Sequence, residues 1–292
     1  MFRGTFTALV TPFRNGAFDR AAFEKQIGFQ AKHNLAGIIP VGTTGESPTL
    51  SHEEHRDVVE IAVATARGTS LKVFAGTGSN STSEALELTQ HAKKVGAAAA
   101  LMVNPYYNKP TQEGLFLHFK TIARAVDIPI VLYNIPGRTS ITMSVPTMVR
   151  LVKECPTIAA VKDAAGNLDL TSEAVAAGLT VLSGDDSLTL PMMAVGASGV
   201  ISVASNIVPD KILQMTSHAL DGNFAAARAL HLQLFPLFKA LFLETNPIPI
   251  KAAMAMLGQD TGELRLPLSQ LGKENREILH ATLSKLGLSP KS

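Results

Sequence analysis

Ile128-Pro129-Ile130-Val131-Leu132-Tyr133 and Ile158-Ala159-Ala160-Val161-Lys162 are two short apolar runs separated by a helix-length segment. Neither alternates in polarity as a half-buried strand would. Continuous apolar runs of this length suit strands covered on both faces. Six more runs of the same kind flank the pair: Thr5–Val10, Gly37–Val41, Lys72–Gly76, Ala98–Val103, Leu179–Ser183 and Gly199–Val203. Their ends at Val10, Val41, Gly76, Val103, Tyr133, Lys162, Ser183 and Ser202 lie 19 to 35 residues apart, the length of a strand, a loop and a helix.

The segments between runs carry helix-start signals. Ser51-His-Glu-Glu54 and Ser81-Thr-Ser-Glu84 have capping-box spacing, and Thr111-Gln-Glu-Gly precedes another helical stretch. Eight βα units without a reversal predict an α/β fold, a closed (β/α)8 TIM barrel. An open doubly wound sheet is the alternative. After residue 205 the strand signal stops, and Pro209–Gly222, Asn223–Leu243, Pro247–Leu257 and Lys273–Gly287 read as helices. Asn246-Pro247 is expected to cap one of them, with the proline at its first position. The expected division is a catalytic barrel over 1–224 and a C-terminal helical extension over 225–292.

Composition narrows the function. Of 292 residues, 46% are hydrophobic, and 26 Lys and Arg balance 24 Asp and Glu to a net charge of +2. That excludes a disordered chain and offers no basic footprint for nucleic acid. A single cysteine, Cys155, precludes an internal disulfide. No secretory leader and no membrane span is expected, which points to a cytoplasmic protein.

In a barrel, chemistry gathers where strands end. Lys162 stands inside an apolar strand. Burying an ammonium is costly, so such a lysine tends to shed its proton and become a nucleophile able to form an imine with a carbonyl. An ion-paired or snorkelling lysine is equally compatible with the position alone. Tyr133 ends the preceding run, where a phenol can move protons or sit as a satisfied rim residue. Gly42-Thr43-Thr44-Gly45-Glu46 offers amides and hydroxyls that suit a small carboxylate, and Arg138 can clamp a second one. Lys251 reads as a snorkelling lysine on a C-terminal helix. His52-Glu-Glu-His55 has the wrong spacing for a zinc motif, Gly76-Thr-Gly78 lacks the third dinucleotide glycine, and Asp185-Asp186 has no converging ligand. No metal is expected.

These residues carry a resemblance. Gly42-Thr-Thr-Gly-Glu-Ser47, Asn104-Pro-Tyr-Tyr107, Tyr133-Asn-Ile-Pro136, Val161-Lys162-Asp163 and Ser183-Gly-Asp-Asp186 occur in order, nearly end to end, as in the dihydrodipicolinate synthases. The lysine, the tyrosine and the Gly-Thr-Thr-Gly-Glu loop are shared with the wider pyruvate-dependent aldolases. The Thr43-Thr44 pair, the Tyr106-Tyr107 pair and Arg138 favour the synthases over the sialic-acid lyases.

The resemblance implies a lyase that condenses pyruvate with L-aspartate 4-semialdehyde on the route to diaminopimelate and lysine. It implies no cofactor, only a covalent imine through Lys162. Tyr133, Thr43 and Tyr107 would relay protons, with Tyr107 reaching into a neighbouring subunit of a homotetramer built as a dimer of dimers. Thr44 would bind the pyruvate carboxylate, Gly184 and Ile201 would contact substrate through backbone, and Arg138 would hold the semialdehyde carboxylate. Feedback inhibition by L-lysine would use Ser47, Pro48, His52, His55, Asn80, Glu84 and Tyr106, with Pro48 departing from the alanine common there. Another pyruvate aldolase or hydratase-aldolase, or a catalytically silent barrel that senses a keto acid or lysine, would share many of these residues.

Overall fold

The computed structural model describes residues 1–291. Its strands are β1 (Gly4–Ala8), β2 (Phe13–Arg14), β3 (Ala17–Phe18), β4 (Gly37–Ile39), β5 (Lys72–Gly76), β6 (Ala99–Val103), β7 (Ile130–Asn134), β8 (Ile158–Asp163), β9 (Val181–Ser183) and β10 (Gly199–Ser202). All but β2 and β3 run parallel, each beside its chain neighbour. The barrel closes where β1 pairs with both β10 and β4, with Thr7 opposite Ser202 on one side and Ile38 on the other. The barrel expectation therefore holds, and the open sheet is excluded.

Side chains alternate between two cores. Phe6, Ile39, Phe74, Leu101, Val131, Tyr133, Ala160, Leu182 and Ile201 point inward and fill the barrel. Ile38, Val73, Met102, Ile130, Leu132, Val161 and Val181 point outward beneath the helices. Both faces of each strand are dry, which is why the runs show no polar alternation. Phe6 and Phe74, with ring centroids 4.8 Å apart, fill the barrel interior.

The first hairpin was not anticipated. β2 and β3 pair antiparallel through Asn15-Gly16, both at positive φ, 54° and 81°. A two-residue hairpin turn needs that conformation, and Asn-Gly supplies it at little cost. The dipeptide is visible in the sequence, but the two-residue strands beside it have no periodicity to detect.

The helices are α1 (Arg20–Lys32), α2 (His52–Ala66), α3 (Thr82–Val95), α4 (Gln112–Ala125), α5 (Pro136–Thr139), α6 (Val145–Glu154), α7 (Leu168–Ala176), α8 (Thr189–Ala194), α9 (Pro209–Leu220), α10 (Phe224–Ala240), α11 (Ile248–Met256) and α12 (Lys273–Lys285). Ser51 and Glu54 form the full reciprocal capping box of α2, at 3.1 and 2.9 Å. At α3 only half forms. Ser81 accepts from the Glu84 amide at 3.5 Å, while the Glu84 carboxylate takes the Ser79 hydroxyl instead. Thr111 caps α4 as expected.

The expected cap at Asn246-Pro247 is displaced. Pro247 is the N-cap of α11, and the Asn246 side chain turns inward to Thr44. There Asn246 Nδ2 donates to the Thr44 hydroxyl, a buried amide held by a partner from another segment. α10 packs on α9 and α12, and α11 packs on α12. No described helix is long and apolar enough to cross a membrane.

Candidate active site

Lys162 and Tyr133 are direct register partners on β8 and β7. Lys162 is 6% exposed, and its Nζ stands 4.0 Å from the centroid of the Tyr133 ring. The strand period sets this arrangement: Val131 and Tyr133 face inward, as do Ala160 and Lys162. Asp163 falls on the opposite face, where its carboxylate accepts from the Thr171 hydroxyl at 2.8 Å and the Ala165 amide at 3.0 Å. The carboxylate nearest in sequence is therefore not the counter-ion of Lys162. Gly184, just beyond β9, leaves room for the lysine arm. A Cβ built there would stand 3.0 Å from Lys162 Cε and 2.8 Å from Ala164 Cβ.

The Gly42–Ser47 loop after β4 is folded on itself. Gly45 and Ser47 amides donate to the Gly42 carbonyl at 3.1 and 3.3 Å, and the Glu46 amide donates to Thr43 at 3.2 Å. Thr44 is 3% exposed. Its partner is distant in sequence: Asn246 Nδ2 donates to Thr44 Oγ1 at 3.0 Å. The Asn246 carbonyl in turn accepts from Arg138 Nη2 at 3.0 Å. Arg138 lies on α5, the single helical turn that follows β7.

Glu46 anchors the loop from below. Its carboxylate takes Lys251 Nζ at 2.6 Å and the Arg265 amide at 3.1 Å, and Lys251 also donates to the Thr11 carbonyl at 2.8 Å. Both side chains are fully buried. Burial pulls the Lys251 ammonium below its ordinary range, and the Glu46 charge opposes that pull. The expected snorkelling of Lys251 is thus overturned. α11 runs beneath the loop, so the lysine has a buried carboxylate in reach and no path to water.

A cavity of about 450 Å³ opens at this end of the barrel. Thr43, Tyr133 and Arg138 line it, and so do Ser47, Pro48, His52, His55, Glu84 and Tyr106. His52 Nε2 stands 3.1 Å from Glu84, and Asn80 sits behind, donating to the Tyr106 carbonyl at 3.2 Å. His55 Nε2 bonds the Gly76 carbonyl at 2.9 Å, and burial pulls the ring down to about 4. Tyr107 is not gathered with the others in one chain: it is 90% exposed, on backbone with φ of 73°. Ile201 faces inward on β10. Asp186 is committed to structure, accepting the Val203 and Ala204 amides at 3.0 and 2.9 Å. Among the described residues no group of three potential ligands could hold a metal ion.

The whole chain matches known proteins. The profile of the Dihydrodipicolinate synthetase family covers residues 1–286. The chain belongs to this family. A 4-hydroxy-tetrahydrodipicolinate synthase of Aquifex aeolicus is 52% identical over all of both chains. The crystal structure of dihydrodipicolinate synthase from that organism superposes with a TM-score of 0.98, covering 99% of this chain and 100% of the other. Two solved relatives are each 42% identical. One, from Acinetobacter baumannii, is complexed with pyruvate, covers 99% of this chain and 100% of its own, and has a TM-score of 0.95. The other, from Cyanidioschyzon merolae, has lysine bound, covers 98% and 99%, and has a TM-score of 0.96.

The residues that hold the candidate site in place are the ones the sequence does not reveal. Asn246, Lys251 and Arg265 all come from beyond the barrel strands. Glu46 was visible only as the last residue of a loop motif, and the apolar stretch Pro249-Ile250-Lys251-Ala252 was the one signal that a charge was being buried.

Proposed function

We propose that this chain is a lyase, a 4-hydroxy-tetrahydrodipicolinate synthase, condensing pyruvate with L-aspartate 4-semialdehyde in diaminopimelate and lysine biosynthesis. Its family membership and full-length relatives support the reaction. The observation that carries the mechanism is the register pairing of Lys162 with Tyr133, which lines the cavity.

The Lys162 amine adds to the keto carbon of pyruvate, and loss of water leaves a protonated imine. Removal of a methyl proton gives an enamine, whose carbon attacks the aldehyde. The amino group of the new chain then closes on the imine carbon and displaces Lys162, so no cofactor is needed. Tyr133, Thr43 and Tyr107 move the protons. Thr44 receives the pyruvate carboxylate, Gly184 and Ile201 present backbone groups, and Arg138 receives the semialdehyde carboxylate.

The exposure of Tyr107 supports a site completed by a neighbouring subunit, in a homotetramer arranged as a dimer of dimers. The Ser47, Pro48, His52, His55, Asn80, Glu84 and Tyr106 group supports a lysine site, with Glu84 as acceptor for an ammonium. The proposed boundaries, 1–224 for the barrel and 225–292 for the extension, fall after α9, the helix that follows the last strand. The cytoplasm suits the lone buried thiol of Cys155.

Borohydride reduction in pyruvate tests the imine: mass spectrometry is expected to find the adduct on Lys162, and an unmodified Lys162 would remove the mechanism. Turnover with the semialdehyde against other aldehydes tests the partner substrate. Millimolar lysine is expected to slow the reaction, and an unchanged rate rejects the regulatory site.

A further inference from the structure

We infer that Asn246 is a positioning residue for the pyruvate carboxylate subsite, its side-chain amide setting Thr44 as a proton donor to the keto acid. This rests on the assignment of Thr44 to the pyruvate carboxylate. Asn246 lies outside the barrel, in the turn between α10 and α11, and is 5% exposed. It is joined to residues from two other segments by two different groups. Its side-chain Nδ2 reaches Thr44 on the loop after β4, and its backbone carbonyl holds Arg138 on the turn after β7, both at 3.0 Å.

The chemistry of the first contact decides its role. A threonine hydroxyl has one proton to give and lone pairs to receive. With the amide N–H occupying a lone pair, the hydroxyl proton is free to point at an anion. An acceptor at the same place would take that proton and turn the hydroxyl oxygen, with its lone pairs, toward the substrate. Asn246 Oδ1 is buried without a partner, so the amide's commitment is through Nδ2 alone. The second contact leaves the side chain out: Arg138 is held by backbone, which a substitution at Asn246 retains. One residue thus ties the two anchors together while its side chain governs only one of them.

Three variants separate the possibilities. Asn246→Ala removes the donor, and Asn246→Asp keeps the shape but substitutes an acceptor and a charge. Thr44→Val removes the hydroxyl. The KM for pyruvate is expected to rise about five- to ten-fold in Asn246→Ala, the order of one neutral hydrogen bond, and further in Asn246→Asp. The KM for the semialdehyde and kcat are expected to stay within about three-fold, because Arg138 keeps its backbone acceptor. Thr44→Val and the Thr44→Val, Asn246→Ala double variant are expected to match, since both remove one linkage.

A merely structural Asn246 would lower thermal stability and shift both KM values and kcat together, which overturns the inference. An unperturbed pyruvate KM in Asn246→Asp also overturns it, because the amide then serves as acceptor. If Thr44→Val leaves the pyruvate KM unchanged, the assignment of Thr44 itself falls. If Thr44→Val raises it and Asn246→Ala does not, only the positioning role falls.

Discussion

Lys251 Nζ lies 2.6 Å from Glu46 Oε1, and neither side chain touches solvent. The pair joins a helix of the C-terminal extension to the loop that carries Thr43 and Thr44. Removing one partner of a buried pair leaves an uncompensated charge, which typically costs about 3–5 kcal/mol. Lys251→Met is therefore expected to lower stability by that order, read as a fall in the denaturation midpoint. Combining it with Glu46→Gln is expected to restore part of the loss, and a purely additive double variant would show that the pair is not coupled.

Gly184 tests the space around Lys162. An alanine there would press on Lys162 Cε and Ala164. Displacing a reacting group by a fraction of an ångström to an ångström is costly, up to about 10²-fold in rate. The yield of borohydride-trapped pyruvate per minute is expected to drop at least about ten-fold in Gly184→Ala. Wild-type trapping kinetics would mean that the arm has room to spare.

Tyr133→Phe keeps the ring beside Lys162 and removes only the hydroxyl. Turnover is expected to fall about 10²–10⁴-fold, the usual worth of positioned proton transfer. Unfolding should be little changed, and steady-state rates near those of the parent enzyme would take Tyr133 out of the relay.

Complementation examines Tyr107. Lys162→Ala and Tyr107→Ala chains are each expected to lose about 10²-fold or more in rate. Unfolded together and reassembled, about a quarter of their sites should pair an intact Lys162 with a partner's Tyr107, recovering that share of activity. A mixture no more active than its parts would confine Tyr107 to its own chain.

Acid should loosen the fold. Burial holds His55 and His118 neutral, each pulled from 6.5 to about 4. The unfolded chain protonates them near 6.5, so their contribution is complete above that pH and is lost as pH falls toward 4. Asp186 opposes this. Burial pushes its carboxyl from 3.8 up to about 6, so its proton favours the folded chain increasingly as pH falls through 6. Two histidines outweigh one carboxyl of similar shift, and the urea midpoint is expected to fall between pH 6.5 and 4. His118→Gln should flatten the slope; a midpoint that rises on acidification would contradict the balance.

Much of this architecture is legible along the chain because its cause is local. The eight dry strands write themselves as unbroken apolar runs, and the ends at Gly76, Val103 and Ser183 coincide with the folded ones. Lys162 stands out because a lysine breaks such a run. The hairpin at Asn15-Gly16 escapes notice because two-residue strands have no period. At Ser81, half a capping box forms because Glu84 has a nearer hydroxyl in Ser79, a competition that spacing does not record.

The sequence by itself determined the periodicity, the strand ends on which Lys162 and Tyr133 sit, and the family motifs around them. Only the tertiary structure decided which polar groups hold those ends in place. Asn246 abandons its expected cap for Thr44, and Lys251 gives up water for Glu46, although about two hundred residues separate each pair along the chain. A buried donor takes whichever acceptor the packed core brings within 3 Å, and that choice is made in space, after the barrel and its extension have closed on each other.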